Sequence, residues 1–348
     1  MTEVGRRPTI RDISVEAGVS TFSVSQALSG KGGVGGATRE RVLRIAAELG
    51  YLPNKLAANL KDASTSTVGV LTASGRNQYY AVLAQAIDSE LQGQGFHLVS
   101  NDALRGETYS AEAERAGVKE LIQQRVAAVI ATYSLNPESI ELLERWDIPV
   151  VFADSLPPES ARDYAFVGVD NERASEQVLN YLADLGHRRV AFLGYPNDWN
   201  TRIPREAGFR AAARRRGVEV ETLESLNSAD GAQHAVRELL QRDRASWPTA
   251  IYATNTLLLQ GALKELRRRS VRIPADMSVV GFDEFDWAEL VDPPMTVVNQ
   301  HIADVGSAAG RTVLQAIASR REGAREHPAP ILIEATLLIR ESCARPRS

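Results

Sequence analysis

The chain has 348 residues, 44% of them hydrophobic and 24% charged, the proportions of a globular protein too long for one ordinary core. No apolar stretch reaches the roughly 18 residues of a membrane span, and Arg6 and Arg7 precede no apolar run, which reads against a secretory signal. The single Cys343 leaves no disulfide scaffold and fits a reducing cytoplasm, the expected compartment.

The net charge of −4 is unevenly spread. Residues 1–62 hold nine Lys/Arg against six Asp/Glu, and the remainder 31 against 38. A basic head on an acidic body fits a nucleic-acid binder whose body stays off the DNA. Residues 9–50 read as three short helices. Thr9 stands three positions before Asp12, a capping-box spacing, with Ile13 and Ala17 on one face. Gly18 breaks the helix because it accepts positive φ, and Ser20 caps a second helix running to about Ser29. Residues 31–36 are a Gly-rich loop. Thr38 opens a third helix with Val42, Ile45, Ala46 and Leu49 at i, i+3, i+4, i+7, and Gly50 stops it.

Two short helices with a glycine turn form a helix-turn-helix pattern. Val19, Val24 and Leu28 pack the second helix on the first. Thr21, Phe22, Ser23, Ser25 and Gln26 then face outward. Gln pairs bidentately with adenine, hydroxyls reach phosphates or bases, and Phe22 suits a thymine methyl. Periodicity alone leaves an ordinary three-helix cap with polar exposed residues equally open.

Residues 54–61 form two helical turns, marginal alone in water, and 62–67 read as a polar linker. Leu56 and Leu60, at i and i+4, suit packing on the body as well. Beyond the linker, apolar runs appear at 68–71, 97–99, 127–131, 150–153, 167–169, 190–193, 250–253 and 279–282, most separated by amphipathic helix-length segments such as 79–93 and 172–185. Apolar strands alternating with helices mean parallel sheets covered on both faces. Eight units are too many for one comfortable open sheet, so two doubly wound lobes are expected.

Residues 8–61 resemble the headpiece of the LacI/GalR family of bacterial regulators. The match is carried by Thr9-Ile10-Arg11-Asp12-Ile13, Ala17-Gly18-Val19-Ser20, Val24-Ser25, Thr38-Arg39, Arg41-Val42, Glu48-Leu49-Gly50-Tyr51, Pro53-Asn54, Leu56-Ala57 and Leu60-Lys61. The body resembles the same family's effector domain, akin to periplasmic sugar-binding proteins. Its markers are Val68-Gly69-Val70-Leu71, Asn77 with Tyr79-Tyr80, Gly168-Val169-Asp170-Asn171, Gly186-His187-Arg188, Pro274 with Val279-Val280-Gly281-Phe282-Asp283, and Asp292-Pro293-Pro294 with Thr296 and Gln300.

The resemblance implies a small all-α helix-turn-helix headpiece at 1–53, a hinge helix and linker at 54–67, and an α/β two-lobed body at 68–348. The N-lobe would comprise about 68–165 and 296–328, and the C-lobe about 166–292 and 329–342, with crossings near 163–167, 292–296 and 326–331. It implies base reading by Thr21, Phe22 and Gln26, a Leu60 wedge in the minor groove, and Asn59 and Lys61 as groove or phosphate neighbours. It places an effector in the interlobe cleft against Tyr79, Tyr80, Thr201, Arg205, Asn255 and Asp283, with Asp154, Asp170 and Ser74 as further candidates. Asp170 could instead merely cap a helix, and Tyr79 could be core. Departures from the family pattern are Ser14 for Ala, Gln26 for Arg or His, Phe22 at a polar reading position, Gln78 for Pro, and Thr256 for Asp. These leave the operator and the effector's identity open.

The implied function is a homodimeric repressor of carbohydrate-utilisation genes, binding pseudo-palindromic operator DNA under control of a small molecule, a sugar by family frequency. A purine-type corepressor-dependent regulator is the alternative, and an α/β enzyme carrying a DNA-binding domain a third reading. The sequence has no P-loop, GxGxxG, HExxH or GxSxG, and its five His do not cluster. No catalytic residue, metal or cofactor is expected.

Overall fold

The computed structural model describes residues 9–29, 34–49, 66–72, 77–102, 104–105, 108–197, 199–324 and 327–347. Two compact units divide the chain, 1–65 and 66–348. The first holds three helices among its described residues, α1 (Ile10–Ala17), α2 (Thr21–Ser29) and α3 (Gly36–Glu48). Thr9 and Asp12 form the capping box at α1, and Gly18 ends it at φ 63°. Ser20 Oγ accepts the Ser23 N–H at 3.1 Å, capping α2. The third helix begins earlier than expected, at Gly36 after Gly35, so Thr38 lies in its first turn. Ile13, Ala17, Val24, Ala27, Val42, Ile45 and Ala46 make one small core. Ala27 takes an inward place, while Val19 and Leu28 pack only at its edge.

The second unit contains two six-stranded sheets. In chain order its elements are β1 (Thr67–Thr72), α4 (Gln78–Gln92), β2 (His97–Asp102), a small hairpin of β3 (Leu104–Arg105) and β4 (Thr108–Tyr109), α5 (Ala111–Gln123), β5 (Ala128–Ala131), α6 (Pro137–Arg145), β6 (Val150–Ala153), β7 (Ala165–Val169), α7 (Asn171–Asp184), β8 (Arg189–Gly194), α8 (Arg202–Arg216), β9 (Glu219–Glu224), α9 (Ala229–Leu240), β10 (Ala250–Ala253), α10 (Thr256–Arg268), β11 (Ser278–Phe282), α11 (Trp287–Leu290), β12 (Thr296–Asn299), α12 (Ile302–Arg321), β13 (Ile331–Ile333) and β14 (Thr336–Leu338). The N-lobe sheet runs β13-β7-β6-β5-β1-β2, all parallel, and the C-lobe sheet β14-β12-β11-β10-β8-β9, parallel but for β14.

All eight apolar runs are strands, and apart from the edge strand β2, which is exposed or half-buried, their central residues are buried because helices cover both faces. The crossings come later than expected. β7 stays in the N-lobe sheet, β12 in the C-lobe sheet, and the last crossing falls between β13 and β14. The chain therefore changes lobe after Val169, after Asn299 and after Ile333. The physical reason is that an apolar run announces a strand but not the sheet that accepts it. Strands β9, β12, β13, β14 and the β3–β4 hairpin went unpredicted: β9 is an edge strand of alternating Glu and apolar residues, and the others have two to four residues each.

Candidate functional site

Helix α2 presents one outward surface. Thr21 and Phe22 are exposed, Phe22 by 63%, and Ser23, Ser25 and Gln26 are half-buried. The Ser23 hydroxyl pairs with that of Ser20 at 2.9 Å. A phenyl ring so exposed beside hydroxyls and an amide is the composition of a base-reading helix face. Asn59, Leu60 and Lys61 lie outside the described residues, as does Ser74.

The second site is the interlobe cleft, a narrow crevice with about 40 Å³ of free volume in this arrangement of the lobes. The N-lobe contributes Asn77, Tyr79, Tyr80, Thr132, Tyr133, Asp154 and Ser155. The C-lobe contributes Tyr195, Trp199, Asn200, Thr201, Arg205, Asn227, Asn255, Asp283 and Gln300. They sit in the loops and first helical turns that follow the carboxyl ends of strands, where parallel sheets leave a crevice. The lobes touch at the rim: Ser155 Oγ donates to Asn200 Oδ1 at 3.0 Å, and Asn200 Nδ2 to Leu156 O at 2.6 Å.

Arg205 is the centre of the C-lobe wall and is 3% exposed. It lies one turn before Gly208, where a Cβ would meet Glu172 O at 2.1 Å. Only glycine lets α8 approach the start of α7 so closely. That approach brings Arg205 Nε to Asn171 Oδ1 at 2.7 Å. Its Nη1 donates to Thr254 O at 2.6 Å and its Nη2 to Gln300 Oε1 at 3.4 Å, while the guanidinium lies 3.6 Å above the Phe282 ring. Burial opposes its charge, but Tyr195, Asp154 and Asp283 outweigh that and hold its pKa above the ordinary value. One turn earlier, Arg202 donates to Tyr195 O at 2.7 Å and forks onto Glu224. This fixes the loop that carries Trp199, Asn200 and Thr201.

Asp283 follows β11 with φ 80°. One carboxylate oxygen accepts the Thr256 N–H at 3.1 Å and the Thr256 hydroxyl at 2.8 Å; the other accepts from Gln300 Nε2. Asn255 caps α10 through Leu258 N at 2.9 Å and donates to Asn227 Oδ1 at 2.8 Å. The Thr201 hydroxyl pairs with Tyr195 at 2.9 Å.

The N-lobe wall differs. Tyr79 is both core and wall: it is buried, its ring meets Tyr80 edge-to-face at 5.3 Å, and its hydroxyl faces Asp154. Asp154 follows β6 with φ 55°, and its buried carboxyl stands beside that hydroxyl. Burial, aided by Asp283 and opposed by Arg205 and by a hydrogen bond from Tyr79, pushes the Asp154 carboxyl up to about 7.

Asp170 is corrected by the structure. It is exposed, lies outside the cleft, and caps α7 by accepting the Arg173 N–H at 3.0 Å. The inward neighbour is Asn171, which meets Arg205. Sequence reasoning missed Trp199, Tyr195, Asn200 and Asn227 as lining residues. A run of aromatic and amide residues beyond an apolar strand, 195–200, was the available signal. Gln300 was noticed only as a family marker, since nothing in its neighbourhood shows that Arg205 and Asp283 flank it. Among the described residues no group of three or more His, Cys, Asp or Glu could hold a metal ion, and no helix is long and apolar enough to cross a membrane.

Residues 9–54 match the family model for bacterial regulatory proteins of the lacI family, and 179–343 match a periplasmic binding protein-like domain. The HTH-type transcriptional regulator CelR of Thermobifida fusca is 32% identical over 346 residues, covering 97% of this chain and 98% of that protein. The chain belongs to the lacI family. It is a DNA-binding transcriptional regulator of that family. A lac repressor dimer bound to operator and an anti-inducer superposes with a TM-score of 0.82 at 25% identity, covering 97% of this chain and all of the other. A complex of the regulator CelR with cellobiose superposes at 0.70 and 29% identity, over 97% of this chain and all of the other. The expected family and the headpiece-plus-two-lobe fold agree with these relatives.

Proposed function

We propose that this regulator is a repressor whose homodimer holds a pseudo-palindromic operator and releases it when a sugar enters the interlobe cleft. The carrying observation is the cleft's composition. Tyr79, Tyr80, Tyr133, Tyr195 and Trp199 line it with aromatic rings, together with amides, hydroxyls, two carboxyls and one guanidinium. Sugars present apolar C–H faces and many hydroxyls, which is the complement. The CelR–cellobiose complex supports the same class. In this reading Tyr80 packs on the ring, Arg205, Asn255, Thr201, Asp154 and Asp283 meet hydroxyls, and no residue performs chemistry. The protein works in the cytoplasm.

A single headpiece makes too few contacts for nanomolar specific binding, so two are needed. The hinge at 54–61 is too short to be helical alone and orders against its twin on DNA, with Leu60 wedged into a base step and Asn59 and Lys61 beside it. The sugar shifts the population only through unequal affinity for the two lobe arrangements. A thermal-shift panel of cellobiose, glucose, ribose and adenosine, followed by gel shifts on selected operator DNA, tests this. A stabilising sugar that weakens DNA binding is expected. Adenosine tightening DNA binding would establish the corepressor reading instead. Gln26→Ala should relax one symmetric pair of base positions by about 1–3 kcal/mol per site. A monomer in sedimentation that still binds operator fully would overturn the dimer.

A further inference from the structure

We propose that the end of the C-lobe sheet opposite the cleft is a second nucleic-acid surface, which holds the phosphate backbone of duplex DNA without reading its sequence. Four helix-to-strand connections form it, at 181–189, 213–219, 237–249 and 265–277, entering the neighbouring strands β8, β9, β10 and β11. The segment 343–347 lies against them. Hydrogen bonds join the five segments into one surface. The Glu219 N–H donates to Arg188 O at 2.9 Å, the Thr249 N–H to Arg189 O at 2.9 Å, the Ser278 N–H to Thr249 O at 3.0 Å, and the Ala344 N–H to Ser278 Oγ at 3.1 Å.

The charge of this surface is opposite to that of the body around it. The five segments hold fourteen arginines, no lysine and six Asp/Glu, whereas the rest of residues 63–348 holds 17 Lys/Arg against 32 Asp/Glu. An acidic body as a whole stays off DNA, but this end of it does not share that charge. Burial of the acids sharpens the contrast. Glu265 pairs with Arg237, Arg268 and Arg269, and Asp276 with Arg244 and Arg272. The two carboxylates are 0% and 6% exposed, and the five arginine side chains 36% to 68%. Cations therefore form the outer layer. Arg214, Arg267, Arg345 and Arg347 are exposed and make no ion pair or side-chain hydrogen bond among the described residues. Helix dipoles favour cations at helix C-termini, which explains arginines in the last turns of α8 and α10. It does not explain Arg188, Arg189, Arg272, Arg345 and Arg347, which stand on loops and a strand start. The next connection of the sheet, 291–295 before β12, has Asp292 and no cation, and bounds the surface.

Composition selects the partner. Arginine forks fit phosphate oxygens bidentately. A docking protein needs apolar or aromatic anchors, and none of the large exposed apolar side chains lies on these segments. Strands about 4.8 Å apart put the outer connections roughly 14 Å from each other. That span meets several phosphates of a duplex carrying one charge per about 1.7 Å of axis. A DNA-binding regulator works beside an excess of duplex phosphate, and this surface gives it a second, salt-sensitive grip.

The test uses the full chain saturated with immobilised operator DNA, and titrates a labelled duplex of unrelated sequence at 50 and 200 mM salt. The parent should capture the second duplex at 50 mM salt. A variant with Arg214→Ser, Arg267→Ser, Arg345→Ser and Arg347→Ser should hold operator DNA and melt like the parent, because those side chains have no partner in the fold. Its capture should depend less on salt. Losing four phosphate contacts, at a slope of about 0.9 each, lessens the weakening between the two salt concentrations on the order of a hundredfold. Arg214→Lys, Arg267→Lys, Arg345→Lys and Arg347→Lys together should keep most of the capture. No capture by the parent at 50 mM salt overturns the surface, and so does a serine variant with the parent's salt dependence. A loss with lysine equal to that with serine overturns the role of charge. Poly-glutamate bound as tightly as the duplex, charge for charge, would assign the surface to an acidic protein segment and overturn the DNA reading.

Discussion

Asp154 and Asp283 occupy the same point in the two lobes. Each follows the third strand from one edge of its sheet, each has positive φ, and each sends its N–H to the next strand, to Val167 O and Val298 O. Thr132 and Thr254 form another such pair, donating to Leu71 O at 3.0 Å and Leu193 O at 2.8 Å. Yet the side chains are treated oppositely. Asp283 is fully hydrogen-bonded and linked through Gln300 to Arg205, so the C-lobe wall is rigid before any ligand arrives. Asp154 has the Tyr79 phenol as its donor and no side-chain network like that of Asp283 among the described residues. Similar backbones thus give one preorganised wall and one without such a network. Preorganisation lowers the cost of binding.

The largest break in this contrast is Arg205→Ala. It strands Asp283, Asn171 and the Thr254 carbonyl without their shared cation, and losing one partner of a buried charged network costs about 3–5 kcal/mol. Urea unfolding of the ligand-free protein should register that loss, and sugar binding should disappear in calorimetry. Asp283→Asn keeps the shape but replaces a charged acceptor for Thr256 and Gln300. A cost of about 2–3 kcal/mol is expected from the same unfolding experiment.

Asp154→Asn should act in the opposite sense. A carboxyl raised to about 7 in the fold costs nothing below its unfolded value near 3.8. The penalty grows as pH rises from about 4 to 7 and is constant above. Removing the charge should therefore stabilise the ligand-free protein at pH 8, by about 2 kcal/mol after relaxation, and do nothing at pH 4. Thermal melts at the two pH values decide it; equal shifts at both would contradict the burial argument. Thr9→Ala is the smallest change and a control outside both lobes. Losing the α1 cap should cost the headpiece about 1 kcal/mol, visible in its own melting step and absent from that of the body.

Much of this was legible from residues alone. The Thr9–Asp12 spacing, Gly18 and the eight apolar runs express local rules: capping, positive φ, and burial on both faces of a parallel strand. Arg205, Asp283, Asn255, Thr201, Tyr79, Tyr80 and Asp154 were placed at the cleft by resemblance. Asp170 was misplaced by one residue, since a helix cap and a cleft residue are adjacent in sequence and differ only in which way the first turn points.

What the sequence by itself determined is therefore the inventory: a three-helix head, alternating strands and helices, and the side chains available at strand ends. The tertiary structure decided which sheet each strand joined, and so where the chain crosses between lobes. It also decided which polar groups are satisfied. Asp154 and Asp283 are the same residue type in the same local backbone, and nothing in their neighbourhoods separates them. The difference comes from Thr256 and Gln300, which only folding brings to one of them, because hydrogen bonding and desolvation depend on distances that no local pattern encodes.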